Sequence, residues 1–133
     1  YDELGTTLGD ALLVPTVLYV KSVLSAIEAG GVHAISHITG GGFYENIPRM
    51  LGEGFTAKIT KSEIPVLPIF ELISKVGNIP ERDMFNTFNM GVGICMAVEP
   101  ENAEAVMKAI TDAGEKACLL GEIVEGNEGV IFC

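Results

Sequence analysis

The segment His37-Ile38-Thr39-Gly40-Gly41-Gly42-Phe43-Tyr44-Glu45-Asn46-Ile47-Pro48-Arg49 gathers the residue types that chemistry on an anion requires. Consecutive glycines let the backbone come close to a ligand and aim several amide N–H groups at it, and a helix starting there adds the favourable end of its dipole. Arg49, one or two turns along that helix, adds a positive charge. The spacing is neither the GxxxxGK[ST] of a P-loop nor the GxGxxG of a dinucleotide fold. Taken alone, the segment reads equally well as a tight turn whose glycines supply positive φ.

Other candidates are weaker. His33 and His37 have a metal-ligand spacing only on a helix, and no neighbouring Cys or third His completes a set, so no metal site is expected. His37 is better placed to hydrogen-bond a ligand, against the alternative of a satisfied strand histidine. Asn89, in Phe88-Asn89-Met90-Gly91, precedes an apolar strand, where loops of α/β folds meet ligands; an Asn capping a turn is the competing reading. Glu99, Glu101 and Glu104 read as a solvated helix cap. Cys95, Cys118 and Cys133 are odd in number, form no CxxC pair and lie in or beside apolar segments. This suits a reducing cytoplasm and structural rather than nucleophilic sulfur.

The elements that position these residues follow from periodicity and punctuation. Pro15 at a first helical position, the stripe Val20, Val23, Leu24 and Ile27, and the cap Gly30-Gly31 predict a helix over 15–29. A strand over 32–39 leads into the glycines, and a short helix over 43–51 is shortened or distorted by Pro48. Phe55, Ala57 and Ile59 alternate with Thr56, Lys58 and Thr60 as in a half-buried strand. Helical spacing returns over 69–76, and Pro80 opens a short helix toward Phe88. Residues 90–99 are expected to form a central strand, its Gly93, Cys95 and Ala97 face small enough for close helix packing. Pro100 starts a helix with the stripe Ala103, Val106, Met107 and Ile110, ended by Gly114. Residues 116–125 and 129–133 read as two strands around the turn 126–129, and 11–14 as an opening strand. The sum is an α/β or α+β layered domain, a mixed sheet flanked by helices, with 1–133 as one domain.

Composition narrows the classes of function. The 133 residues carry 18 Asp and Glu against 8 Lys and Arg, a net charge of −10, with residues 81–133 the more acidic part. Nucleic acid is an unsuitable partner for such a chain. Only two arginines, Arg49 and Arg82, can grip a phosphate bidentately, so an anion site here must lean on backbone amides or on another polypeptide. Charge-free runs stay shorter than the roughly 20 apolar residues of a membrane span, and no membrane partner is expected. The start Tyr1-Asp2-Glu3-Leu4-Gly5 lacks an initiator Met and a signal peptide, so the chain reads as cut from something longer, with apolar surface facing a missing domain or partner.

Three long motifs then carry a resemblance. Leu8-Gly9-Asp10-Ala11-Leu12-Leu13-Val14-Pro15-Thr16-Val17-Leu18-Tyr19-Val20-Lys21, His37 to Arg49, and Phe88-Asn89-Met90-Gly91-Val92-Gly93 resemble, in this order, the C-terminal half of the aminoimidazole ribonucleotide synthetase family, also called phosphoribosylformylglycinamidine cyclo-ligases. The resemblance covers essentially the whole chain. It implies an ATP-dependent ring closure in purine synthesis, in which formylglycinamidine ribonucleotide and ATP become aminoimidazole ribonucleotide, ADP and phosphate. The formyl oxygen is activated by phosphorylation, and an amidine nitrogen closes the ring and expels phosphate.

The resemblance further implies that ATP and Mg²⁺ are held largely by an N-terminal ATP-binding half, that the full-length enzyme is a homodimer, and that this half faces the cleft where the ribonucleotide binds. Carried over by position, Thr39, Gly40, Gly41 and Gly42 approach an anionic group, with His37, Glu45, Asn46 and Arg49 around it, while Pro15, Thr16 and Asn89 line the cleft. No residue is assigned a catalytic role, and the fragment alone is expected to be inactive. The competing readings are a free-standing module that senses a phosphorylated metabolite or serves in assembly, and the same half of a sibling ATP-dependent synthetase.

Overall fold

A computed structural model describes residues 1–133. The order is α1 (Leu8–Leu12), α2 (Val20–Ala29), β1 (Val32–His37), α3 (Gly42–Met50), β2 (Phe55–Ile59), α4 (Pro68–Gly77), α5 (Glu81–Thr87), β3 (Ile94–Val98), α6 (Ala103–Asp112), β4 (Gly121–Glu125) and β5 (Val130–Phe132), with short 3₁₀ turns between some of them. The fold is α+β. Its strands divide between two sheets, an antiparallel pair β1-β3 and a mixed sheet ordered β4-β2-β5.

Helix α3 joins the two sheets, packing against β1 on one side and β5 and β2 on the other, with α5 also against it. Its Phe43 and Ile47 are fully buried among Ile38, Ile59, Met84, Phe85 and Val130. Aromatic rings tie this core together: Phe85 lies 5.3 Å from Phe43 in an edge-on arrangement and 4.7 Å from Phe132. Pro48 sits inside α3, where it removes the bond to the Tyr44 carbonyl, and the helix ends two residues later with the Leu51 amide turned to the Pro48 carbonyl.

Several expectations are corrected. The opening strand over 11–14 is absent, because Thr7 caps a helical turn: its hydroxyl oxygen accepts from the Asp10 amide and α1 forms instead. The helix expected from Pro15 begins only at Val20, and Pro15 and Thr16 lie in an exposed non-helical segment before it. Within α2 the expected buried stripe is turned outward. Ser22 and Ala26 face the fold while Val20, Leu24 and Ile27 are exposed, because α6 packs so close that only small side chains fit between them.

The strand expected over 90–99 is shortened to β3, since Met90 and Gly91 take positive φ (51° and 103°) in a turn. β3 is not central; it pairs with β1 alone, His37 opposite Ile94. The strand expected over 116–125 starts only at Gly121. It does not form a hairpin with β5, because β2 lies between them, antiparallel to β4 and parallel to β5. On β2 Ala57 and Ile59 are buried as the alternation expects, but at its start Thr56 is fully buried and Phe55 half-exposed. The Thr56 hydroxyl is satisfied there by the Glu128 carboxylate, to which it donates at 3.0 Å, and it accepts from the Glu128 amide.

Candidate functional site

The glycine loop is a turn at the entrance of α3. The Gly42 amide donates to the Thr39 carbonyl at 3.0 Å, and Gly41 (φ 96°) and Gly42 (φ 55°) take left-handed conformations that non-glycine residues avoid. The two differ in their surroundings. A Cβ on Gly42 would drive into the backbone carbonyls of Phe85 and Phe88, whereas one on Gly41 would meet only the Glu45 side chain. Gly40 is open, with nothing near a Cβ.

Asn46 organises the loop from within. Its side chain is buried, and its Nδ2 donates toward the carbonyls of Thr39 (3.3 Å), Gly40 (3.2 Å) and Gly42 (2.8 Å). The buried Ser36 hydroxyl donates to the Asn46 carbonyl at 2.9 Å, fastening α3 to β1. With the loop's carbonyls turned onto Asn46, its amides are left for other partners: the N–H groups of Gly40, Gly41 and Tyr44 donate to no group of the chain. Those amides and the dipole of α3 form an anion-favouring surface that needs no net positive charge.

The arginines flank this surface. Arg49 Nη2 lies 3.4 Å from Glu45 Oε2 and Nη1 3.4 Å from Asn46 Oδ1, an exposed and loosely held arrangement free to turn toward a ligand. The Arg82 guanidinium lies 4.5 Å over the Tyr44 ring, which places the second arginine beside the first turn of the same helix. The sequence reading counted Arg82 but did not place it here.

His37 ends β1 two residues before the loop, exposed, with its ring edge-on to Tyr19 at 5.8 Å. Tyr19 was not singled out from the sequence, although a signal existed: Gly93, a glycine beside a strand, marks a close approach. The Tyr19 hydroxyl occupies the space a Gly93 side chain would need. Burial, followed by the charge of Glu115, raises the Tyr19 phenol above its ordinary value, so it stays protonated. Tyr19 thus brings the end of the segment holding Pro15 and Thr16 to His37.

Asn89 follows Phe88, whose carbonyl abuts Gly42, but its side chain is engaged locally: Oδ1 accepts from the Gly91 amide at 3.0 Å and its carbonyl from the Val92 amide at 2.8 Å. His33 and His37 have different partners, His33 Nε2 lying 3.1 Å from Glu99 Oε1. No three His, Cys, Asp or Glu side chains gather into a set able to hold a metal ion. Burial pushes the Cys95 thiol up to about 11, which leaves it a poor nucleophile.

Comparison with known proteins gives first the class: the fold is similar to that of part of Escherichia coli HypE, a hydrogenase maturation protein, with a TM-score of 0.70 over 98% of this chain and 42% of that chain at 24% identity. The family follows from sequence. Residues 1–133 match the family described as AIR synthase related protein, C-terminal domain, and the chain belongs to it. Among curated relatives, the phosphoribosylformylglycinamidine cyclo-ligase of Lachnospira eligens is 51% identical over 100% of this chain and 39% of that protein. The protein of the same name from Brevibacillus brevis is 52% identical over 98% of this chain and 38% of its own length. The chain thus spans about two fifths of the relatives it matches. No helix is long and apolar enough to cross a membrane.

Proposed function

We propose that residues 1–133 form one domain, the C-terminal half of an ATP-dependent cyclo-ligase that converts formylglycinamidine ribonucleotide and ATP to aminoimidazole ribonucleotide, ADP and phosphate in the cytoplasm. The observation that carries this is identity of about one half to proteins of that name over essentially the whole chain. In this reading Thr39, Gly40, Gly41 and Gly42 present amides to a phosphate of the substrate or of the transferring group. Arg49 supplies charge, and His37, Glu45 and Asn46 shape the surroundings. Asn46 acts from behind, by holding the loop carbonyls away from the anion.

Pro15, Thr16 and Asn89 border the same cleft, Asn89 through the turn it stabilises. ATP and Mg²⁺ belong to the remainder of the protein. No three acidic, His or Cys side chains gather in this chain, and no step is assigned to the ion here. The full-length enzyme is a homodimer in this reading. The chemistry left to this domain is positioning and charge stabilisation by oriented dipoles.

The test is Gly41→Val in the complete protein, because Gly41 faces a flexible side chain rather than backbone. Turnover is expected to fall by about a hundredfold or more through blocked approach and displaced amides. Val at φ 96° is strained, so melting should fall as well and turnover is compared well below the variant's own transition; Arg49→Ala should raise KM by about tenfold with kcat less affected. Near-normal turnover of Gly41→Val would reduce the glycines to a structural turn. The 133-residue chain by itself is expected neither to hydrolyse ATP nor to close the ring.

A further inference from the structure

Glu45 stands where a negative charge works against the loop beside it. Its carboxylate folds back over the glycine turn, so that a Cβ on Gly41 would lie 2.7 Å from Oε2. The same oxygen lies 3.4 Å from Arg49 Nη2, and no other group of the chain donates to the carboxylate. Nor is the side chain spent on capping α3: the nearby amides of Gly40, Gly41 and Tyr44 donate to no group of the chain, and Glu45 joins the helix through its own amide, which donates to the Gly41 carbonyl at 3.2 Å. An exposed ion pair four residues apart on a helix adds little to stability. An anion entering the free amides meets this carboxylate at close range, and like charges oppose its binding unless the ligand also brings a cation.

We propose that Glu45 is a specificity-determining residue that takes the amidine group of the substrate, its carboxylate pairing with the amidinium while the amides of Gly40 and Gly41 take a phosphoryl group. The proposal rests on the cyclo-ligase reading, which supplies a ligand of both signs: a phosphate, and an amidine that is protonated near neutral pH. An amidinium presents two parallel N–H donors, the same fork by which a guanidinium grips a carboxylate. It therefore competes directly with Arg49 for Glu45. The resident pair yields easily, because it is long, 3.4 Å, and both side chains are more than half exposed. Displaced from Glu45, the Arg49 guanidinium turns to the phosphoryl group. Binding thus exchanges partners and strands no charge: Glu45 passes from arginine to amidine, and Arg49 passes from Glu45 to phosphate. The spacing of the two residues, one helical turn apart on the same face of α3, lets one ligand reach both.

The experiment is calorimetric binding to the complete protein, saturated with a non-hydrolysable ATP analogue. The two ligands are formylglycinamidine ribonucleotide and its amide counterpart, in which oxygen replaces one amidine nitrogen and the phosphate is unchanged. Wild type is expected to favour the amidine by about thirtyfold. Glu45→Gln should bring the two within about threefold by weakening the amidine ligand alone, and undiminished binding of the amide ligand shows that the variant has folded. Arg49→Ala should weaken both ligands and keep the preference, since Glu45 is still there. A Glu45 that merely supported the helix would weaken both ligands alike on substitution. Such a parallel loss, a preference unchanged in Glu45→Gln, or a wild type that binds both ligands equally overturns the proposal and leaves the cyclo-ligase reading standing. A wild type that binds neither ligand overturns that reading, and the proposal with it.

Discussion

Helices α2 and α3 are built from similar apolar patterns, yet they use them in opposite senses. In α3 the large side chains Phe43 and Ile47 point inward and the one buried polar residue, Asn46, is spent on the loop that starts the helix. In α2 the buried residues are Ser22 and Ala26, the Ser22 hydroxyl returning to the Tyr19 carbonyl at 3.0 Å, and the large residues are left outside. The first arrangement is complete within this domain. The second leaves Leu24 and Ile27 about half exposed, which forfeits roughly half of the 1.5–3 kcal/mol that full burial of each would give.

The strongest way to break this contrast is Gly42→Ala. Its Cβ meets backbone carbonyls of Phe85 and Phe88 in a left-handed conformation, so neither a rotamer change nor a small shift relieves it. A loss of about 3 kcal/mol or more in urea unfolding is expected, from overpacking plus strain. Asn46→Ala comes next, at about 2–3 kcal/mol, since it leaves loop carbonyls inside the fold without their donor and opens a small cavity. A loss below about 0.5 kcal/mol would show that the loop holds its shape without the staple.

Helix α2 should respond in the reverse order to hydrophobic and polar change. Ala26→Leu is expected to cost the 133-residue chain about 1–3 kcal/mol, because Ala26 has no exposed surface and α6 lies against it. Leu24→Gln should change it by no more than about 0.5 kcal/mol, yet lower the melting temperature of the complete protein. If Leu24→Gln destabilised the isolated chain as much as Ala26→Leu, the outer stripe would be packed within this domain.

Which parts were legible in the sequence follows the same division. The glycine loop, α3 with its proline, β2, α5 and the Pro100 start of the α6 region could be read because local chemistry decides them: positive φ, fixed proline φ and strand alternation. The orientation of α2 could not, since periodicity reveals a stripe but not whether it is covered by this domain or by another. The pairing of β4 and β5 was equally hidden. The turn over 126–129 looks like a hairpin, and only the insertion of β2 between the strands, a contact distant in sequence, excludes it. At the site, the loop residues were found from their types, while Tyr19, Ser36 and Arg82 entered through tertiary contacts.

A final prediction concerns the turn that resembles the glycine loop in construction. As Asn46 staples one glycine turn from inside, buried Thr56 staples the turn 126–129, through Glu128. The Glu128 carboxylate lies below its ordinary value of 4.5, held there first by its own backbone amide, then by the Thr56 hydroxyl and the Asn127 amide. A carboxylate depressed in the folded state contributes stability above its unfolded value and loses it as pH falls through the folded one. Wild type should therefore exceed Glu128→Gln in urea midpoint at about pH 7, and the gap should close below 4.5 as the wild-type side chain takes up its proton. The effect is the smallest of the set because the carboxylate is solvent-facing and screened. A gap that persisted unchanged into acid would mean that the shape of the side chain, rather than its charge, secures the turn.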